Sequence, residues 1–236
     1  MTTINVNTVA PAGSVLTVGD SGDTIVAVDE IKVNTVKDAG GNTLWVSNGS
    51  GTLSSVSGFG GALNLLSTQT ASGSASISFT SGIDSTYKEY VFKFYNINPA
   101  TDSATFDFNM SADSGSNYNV TKTTTWFKTE QQETGGGDLD YQAHMDLAQG
   151  TGVQPLTQGI GNGGDESAAG TLHLFNPAST TYVKNFYSRV NLYRDNNGSQ
   201  TGFTSGYGNT TSAVDAVQFT MSSGNFDGTI KMYGVS

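Results

Sequence analysis

Four residues near position 195 have the side chains that carbohydrate recognition uses. Tyr193, Arg194, Asn196 and Asn197 lie together just before Gly198. An aromatic ring stacks on the face of a pyranose, while amides and a guanidinium hydrogen-bond to its hydroxyl groups. The string Asn-Asn-Gly is also typical of a hairpin turn, and the two interpretations are compatible. We therefore predict a turn here and treat the four residues as a candidate glycan-binding site.

A second polar pattern runs from Asp138 to Asp146. At the two-residue period of a strand, one face carries acids, an amide and a histidine, while the other is largely apolar. The polar set is Asp138, Asp140, Gln142, His144 and Asp146, and the other set is Leu139, Tyr141, Ala143, Met145 and Leu147. The polar set is either a cation site or the solvated face of an amphipathic strand. Side chains two residues apart lie about 7 Å from one another, which favours the solvated face.

Catalytic chemistry has few candidate residues in this chain. The sequence contains no cysteine and no Gly-x-Ser-x-Gly string, and its imidazole groups are those of His144 and His173. Acid pairs such as Asp165 and Glu166 are expected by composition among 20 acidic residues. We therefore predict no catalytic residue, no cofactor site and no metal site, and we do not expect an enzyme.

A glycine-rich stretch, residues 150–170, imitates a nucleotide-binding motif. Gly159, Gly161 and Gly164 have the spacing of a dinucleotide fingerprint. That fingerprint requires a helix after it, because the helix N-terminus holds the pyrophosphate. The residues that follow, Asp165 to Gly170, are too few and too acidic for such a helix. The stretch is instead predicted to be a flexible loop.

The composition indicates the elements that must position these residues. Thr, Gly, Ser and Asn number 31, 30, 27 and 19, so they supply 107 of 236 residues. These types are poor helix formers and favour strands or turns. The chain also has 24 aromatic residues, whereas disordered segments are poor in aromatics. The sequence therefore predicts an all-β protein with many turns.

The charge balance limits the partners of this chain. Ten basic and 20 acidic residues give a net charge of −10, which repels nucleic acid and anionic lipid. Residues 1–18 lack a basic start and a continuous apolar run, so we expect no signal peptide, and no apolar stretch reaches membrane-spanning length. We expect synthesis in a cytoplasm, no nucleic-acid binding and no membrane insertion.

The aromatic residues divide the chain into two regions. Residues 1–66 contain Trp45 and Phe59, and the other 22 aromatics follow. The first region consists of short apolar segments separated by turn residues, namely 4–6, 15–18, 25–28, 31–33, 44–46 and 53–56. Such short strands bury too little area alone, so we predict that residues 1–62 form an intertwined β-repeat stem in a homotrimer. A glycine-rich hinge is predicted at 58–61, followed by a short connector at 62–66.

The second region, residues 63–236, alternates apolar and polar residues over longer segments. Phe106, Phe108 and Met110 alternate with Thr105, Asp107 and Asn109, for example. Nine strands are predicted, around residues 76–80, 90–94, 105–110, 118–128, 139–147, 171–175, 182–193, 213–221 and 229–233. Their number and the length of the region favour a jelly-roll-like antiparallel β-sandwich.

Several segments resemble a known class of virion proteins. The string NTVKDAGGNTLWVSNGSGTLSSVSGFGGALNLL is similar to β-repeats of tailed-bacteriophage fibre proteins. LLSTQTASGSASISFTSGIDSTYKEYVFKFYNINPATDSATF, HLFNPASTTYVKNFYSRVNLYR and NTTSAVDAVQFTMSSGNFDGTIKMYGV resemble a domain of structural proteins of marine phages. The resemblance implies a non-enzymatic, trimeric protein at the virion surface, and it transfers no functional residues.

The resemblance leaves the place on the virion open between a tail fibre and a capsid decoration or head fibre. Other virion proteins are the expected partners, together with a host cell-surface glycan if the protein serves attachment. A carbohydrate-binding module that reads host glycans is the main alternative function. A polysaccharide depolymerase is a third, although its expected catalytic motifs are missing.

Overall fold

The computed structural model describes residues 35–37, 40–47, 50, 53–56 and 62–236. The chain divides into two compact units, Met1–Phe59 and Gly60–Ser236. In the first unit, β1 (Thr35–Lys37), β2 (Thr43–Ser47) and β3 (Leu53–Val56) form an antiparallel three-stranded sheet in the order β1-β2-β3. The predicted strands at 44–46 and 53–56 are confirmed. The four segments predicted before residue 34 and the hinge at 58–61 lie outside the described residues.

The second unit consists of two antiparallel sheets packed together. Its strands are β4 (Leu63–Ser74), β5 (Ser76–Phe79), β6 (Glu89–Pro99), β7 (Phe106–Ser111), β8 (Lys122–Gln132), β9 (Gly137–Tyr141), β10 (Ala148–Gly150), β11 (Gln154–Pro155), β12 (Ala168–Phe175), β13 (Lys184–Tyr193), β14 (Gly198–Gly208), β15 (Ala216–Met221) and β16 (Phe226–Val235). The described residues contain no α-helix, and one 3₁₀ turn spans Ala143–Met145. The all-β prediction is confirmed.

The large sheet has nine strands and the small sheet has four. The order of the large sheet is β10-β8-β14-β13-β12-β6-β16-β4, and β9 pairs with the same edge of β8 as β10 does. The small sheet has the order β11-β7-β15-β5. The hydrophobic core lies between the sheets, because one face of each strand supplies apolar side chains that must leave water.

Aromatic rings dominate this core. Phe219 of β15 is fully buried, with ring centroids 5.4 Å from Phe92, 5.2 Å from Phe94 and 5.7 Å from Phe106. The pair with Phe94 is edge-to-face, the pair with Phe92 is tilted and the pair with Phe106 is stacked. Aromatic rings from both sheets thus pack against one another around Phe219.

Strict alternation in β13 defines two faces of the large sheet. The side chains of Phe186, Val190 and Leu192 are buried, whereas those of Tyr187 and Arg189 are exposed. We call the buried side of the large sheet its inner face and the opposite side its outer face. The strands predicted around 90–94, 105–110, 171–175 and 182–193 are confirmed, and β7 departs from the alternation because all six of its residues are buried.

Four features of this unit differ from the sequence-based predictions. The strand predicted at 139–147 ends at Tyr141, because the 3₁₀ turn Ala143–Met145 interrupts it. The stretch 150–170 is not a free loop: Leu156 and Ile160 are fully buried, and Ile160 pairs with both Ala104 and Arg194. The predicted connector at 62–66 is the start of β4, and the prediction omitted β14 altogether.

Candidate functional site

The predicted glycan residues occupy the turn between β13 and β14. The backbone N–H of Asn197 donates to the carbonyl of Arg194 at 3.1 Å, and Asn197 has a φ of 59°, as a tight turn requires. The predicted hairpin turn is therefore confirmed. The turn splits the four residues between the two faces: Tyr193 is on the outer side of β13, while Arg194 and Asn196 turn towards Glu130 on the inner side.

Arg194 is held by the protein itself. Its Nε and Nη2 donate to Asp195 Oδ1 at 3.2 and 3.1 Å, and its Nη1 donates to Gln158 Oε1 at 2.7 Å. The side chain is 17% exposed and forms an ion pair with Glu130 at 3.6 Å. Through these contacts with Asp195, Gln158 and Glu130, Arg194 anchors the turn to the surrounding residues.

Glu130 is the centre of this polar cluster. Its side chain is 6% exposed and accepts hydrogen bonds from Lys128 at 2.6 Å, Gln132 at 2.6 Å, Asn196 at 3.0 Å and Gln200 at 3.1 Å. Burial alone would raise the pKa of Glu130, but these hydrogen bonds and the charge of Arg194 outweigh it and lower the pKa to about 2. Glu130 is therefore ionised at neutral pH, and its oxygens are occupied. Such a carboxylate stabilises structure and is unsuited to proton transfer near neutral pH.

A polar cleft of about 360 Å³ opens beside this cluster. Its walls are side chains of β8 and the glycine-rich turn to β9, namely Lys128, Glu130, Gln132, Gly135, Gly136, Gly137 and Asp138. Lys128 lies 3.3 Å from Asp138, in addition to its contact with Glu130. The charged groups in the cleft are thus paired with one another.

The polar row from Asp138 to Asp146 does not form one face. Asp138 contacts Lys128, Asp140 accepts from Gln142, and Asp146 accepts from Tyr141, while His144 lies in the 3₁₀ turn. The other set is not buried as a core face either, since Leu139 is 71% and Tyr141 55% exposed. Among the described residues, no group of three or more acids or histidines could hold a metal ion.

The outer face of the large sheet carries exposed aromatic rings on β8, β9 and β13 and a half-buried ring, Phe203, on β14. Phe127 and Phe203 are stacked, with centroids 4.7 Å apart and planes 7° apart. Tyr141 is directly opposite Phe127 on β9. Tyr187, which is 45% exposed, stacks on His173 of β12 at 4.5 Å. Side chains of this size usually lie in a core, so their exposure on one face marks a candidate binding surface.

A shallow groove of about 280 Å³ lies among these rings. It is lined by Phe127, Phe203, Tyr187 and Arg189 together with the hydroxyl-bearing Ser205. Flat rings with a guanidinium and hydroxyls beside them match what a pyranose offers, namely an apolar face and a rim of hydroxyl groups. Sequence reasoning missed this surface, apart from the alternation in 182–193 that separates Tyr187 and Arg189 from the apolar set.

His173 also belongs to this outer face. Its Nδ1 lies 2.6 Å from Glu89 Oε1 on the neighbouring strand β6, and its ring stacks on Tyr187. The imidazole is therefore held by a carboxylate on one side and a ring on the other, which positions Tyr187.

The chain matches no protein-family model, no curated protein and no solved structure. Among the described residues, no helix has both the length and the apolar character needed to cross a membrane. The function must therefore be inferred from the residues and geometry of this chain.

Proposed function

We propose that this protein is a non-enzymatic component of a phage virion surface, a tail fibre or a capsid decoration, that holds carbohydrate of the host surface. Residues 1–62 form a trimeric stem that docks on other virion proteins, and residues 63–236 form a jelly-roll head displayed to solvent. The observation that carries the carbohydrate-binding role is the set of exposed rings on the outer face, centred on Phe127, Phe203 and Tyr187.

The order of the strands supports a jelly roll. The eight strands β4, β5, β6, β7, β11, β12, β15 and β16 fall into two sets of four neighbours, β4-β16-β6-β12 and β5-β15-β7-β11. Along the chain these strands alternate between the two sheets except at the step from β7 to β11. A sandwich of eight strands with this alternation corresponds to two Greek keys, the arrangement of a jelly roll.

The remaining strands are additions to those eight. β8, β9 and β10 lie between β7 and β11 in the chain, and β13 and β14 lie between β12 and β15. The two insertions pair with each other through β8 and β14, and they extend the large sheet beyond β12. The stacked pair of Phe127 and Phe203 is formed where the two insertions meet. Binding residues placed on additions to a rigid scaffold fit a recognition role.

The state of the carboxylate beside the turn, Glu130, favours binding over catalysis at that place. Glu130 is ionised and fully engaged, so the polar cluster beside the turn lacks an available proton donor or acceptor at neutral pH. Avidity in a trimer multiplies weak contacts with a repetitive surface without any reaction.

Binding to an array of bacterial surface polysaccharides tests the carbohydrate role. The full chain should bind at least one of them, and Phe203→Ala should weaken that binding about fivefold, since stacking on one ring contributes about 1 kcal/mol. Tyr193→Ala and Arg194→Ala test the turn residues of the alternative site. If these two variants lost polysaccharide binding while Phe203→Ala bound fully, the glycan-binding site would be at the turn and not on the outer face.

Two further measurements test the other parts of the proposal. Light scattering after size exclusion should give three times the chain mass of 24.6 kDa, and a monomer would contradict the trimeric stem. Incubation with a bound polysaccharide should leave its chain length unchanged. Shortened products would indicate a depolymerase instead.

A further inference from the structure

Three of the four cations of the second unit that are neither buried nor paired with Glu130 lie on one surface. Residues 60–236 contain 8 basic and 15 acidic residues, so the net charge of this unit is 8 − 15 = −7. Lys122 and Lys184 are buried, and Lys128 and Arg194 pair with Glu130. Of the other four cations, Lys93, Arg189 and Lys231 are on the outer face of the large sheet, and Lys88 precedes β6.

These three cations and the stacked rings lie on one row across the sheet. The registers pair Tyr141 with Phe127, Phe127 with Phe203, Phe203 with Arg189, Arg189 with Thr171, Thr171 with Lys93, and Lys93 with Lys231. Neighbouring strands are about 4.8 Å apart, so this ring–cation row is about 29 Å long over its six steps. One half of the row is aromatic and the other half is cationic.

The positions of two of these cations, Lys93 and Lys231, destabilise the sheet. Lys93 and Lys231 are directly opposite each other on β6 and β16, and like charges in that position are destabilising. Each amine is partly compensated by an aromatic ring, since Lys93 lies 5.3 Å from the centroid of Tyr233 and Lys231 lies 5.6 Å from that of Tyr95. Arg189 lies 5.7 Å from the centroid of Phe203. An anionic ligand across Lys93 and Lys231 would remove the repulsion between them.

We propose that the ring–cation row binds an acidic polysaccharide, with sugar rings on the aromatic half and carboxylate or sulfate groups on Arg189, Lys93 and Lys231. This inference rests on the proposed carbohydrate-binding function and adds the charge of the ligand to it. A linear chain of sugars laid across the strands meets both halves of the row. The net charge of −10 opposes any polyanion at long range, so the local cations of the row must outweigh that repulsion for an acidic polysaccharide, as they would for a nucleic acid.

Binding of alginate, a polyuronate, and dextran, a neutral polysaccharide, to the full chain tests the proposal. In 0.15 M salt the wild type should bind alginate more tightly than dextran. The double variant Lys93→Gln, Lys231→Gln should lose about tenfold in alginate affinity, which corresponds to about 1.4 kcal/mol, and keep its dextran affinity. Lys88→Gln, which changes an exposed cation off the row, is the matched control. The alginate affinity of the wild type should fall further between 0.15 and 0.5 M salt.

The other outcomes separate the two proposals. Equal affinity for alginate and dextran, unchanged in the double variant, would overturn the acidic ligand and leave the carbohydrate role intact. If the protein bound neither polymer, this inference would be overturned. If it also bound none of the bacterial surface polysaccharides on the array, the carbohydrate-binding role would be wrong as well. Tighter binding of single-stranded DNA than of alginate would identify a nucleic-acid surface instead. A change in oligomer mass caused by the double variant would show that the row is an interface between copies of the chain, which also overturns the proposal.

Discussion

The inner side of the large sheet has an aromatic region and a polar region, and they achieve burial by different means. Around Phe219, rings from both sheets exclude water and need no partner charges. Around Glu130, a buried charge is retained because four side chains donate to it and Arg194 lies nearby. The aromatic region depends on the close packing of its rings, and the polar region depends on the ionised state of Glu130. The two regions should therefore respond differently to truncation and to pH.

The largest effect is expected in the aromatic region. Phe219→Ala removes a fully buried ring that lies against Phe92, Phe94 and Phe106, and it should lower the free energy of unfolding by up to about 5 kcal/mol. Because no ionisable group is involved, the loss should be the same at pH 5 and pH 8. Urea unfolding at both pH values measures it. A loss that depends on pH would show that the regions are not independent.

The next largest effect on stability is expected at Asp107, a buried acid whose pKa is raised by burial. Asp107 of β7 is 2% exposed and accepts a hydrogen bond from Thr105 Oγ1 at 2.7 Å. Burial raises its pKa to about 7. The folded state therefore keeps a proton that the unfolded chain releases above its ordinary pKa of 3.8, and stability falls between pH 3.8 and pH 7.

Asp107→Asn should remove this fall. The variant should gain up to about 4 kcal/mol over the wild type between pH 4 and pH 8. Unfolding curves across that range test it, with Asp102→Asn as a control at an exposed acid. Parallel pH curves for wild type and Asp107→Asn would contradict a raised pKa at this position.

Glu130 should show the opposite dependence on pH. Its pKa in the folded protein is about 2, below the ordinary 4.5, so its contribution is present above pH 4.5 and is lost as the pH falls towards 2. Glu130→Gln should cost about 3 kcal/mol at pH 7, because it leaves Lys128 and Arg194 without their shared carboxylate. The cost should shrink towards pH 2, which acid titration of both proteins measures. A cost that persists unchanged at pH 2 would mean that packing rather than charge is responsible.

The smallest effect on stability is expected on the outer face. Phe203→Ala removes a ring that is stacked on Phe127 outside the core, so the unfolding free energy should change by less than about 1 kcal/mol. Thermal melting beside the binding assay tests this. A destabilisation as large as that of Phe219→Ala would indicate that this ring serves the fold rather than a ligand.

The sequence predicts strands well where large apolar residues alternate with polar ones. β13 is such a strand, since Phe186, Val190 and Leu192 mark its inner face. β14 has no such pattern because glycines occupy inner positions under large neighbours. A Cβ on Gly202 would lie 2.7 Å from Cζ2 of Trp126, so the apolar volume at that place comes from another strand. The periodicity of the β14 sequence alone does not show that Trp126 of another strand fills the space beside Gly202.

The candidate site was predictable only in part for a related reason. Alternation at 138–141 separates the acids from Leu139 and Tyr141, but it does not indicate which set faces the protein. Every residue of β9 is exposed: Asp138 contacts Lys128 on one side of the strand, and Leu139 and Tyr141 lie on the other. The ring–cation row depends on the order of seven strands, and strand order is a property of the tertiary structure. The turn at 194–197 was predictable because its chemistry is local.

The pairing of β4 has a consequence for how the protein folds. Within the described residues, β4 has one neighbour in its sheet, β16, and the facing residues Thr70 and Thr229 are 159 positions apart. Closing a chain segment of that length is costly in entropy, and folds dominated by distant pairings form slowly. During synthesis at about 5–20 residues per second, β4 waits several seconds for its partner. Its long polar sequence, with Ser, Thr and Gln in place of a continuous apolar run, suits a strand that must remain unpaired in water for that time.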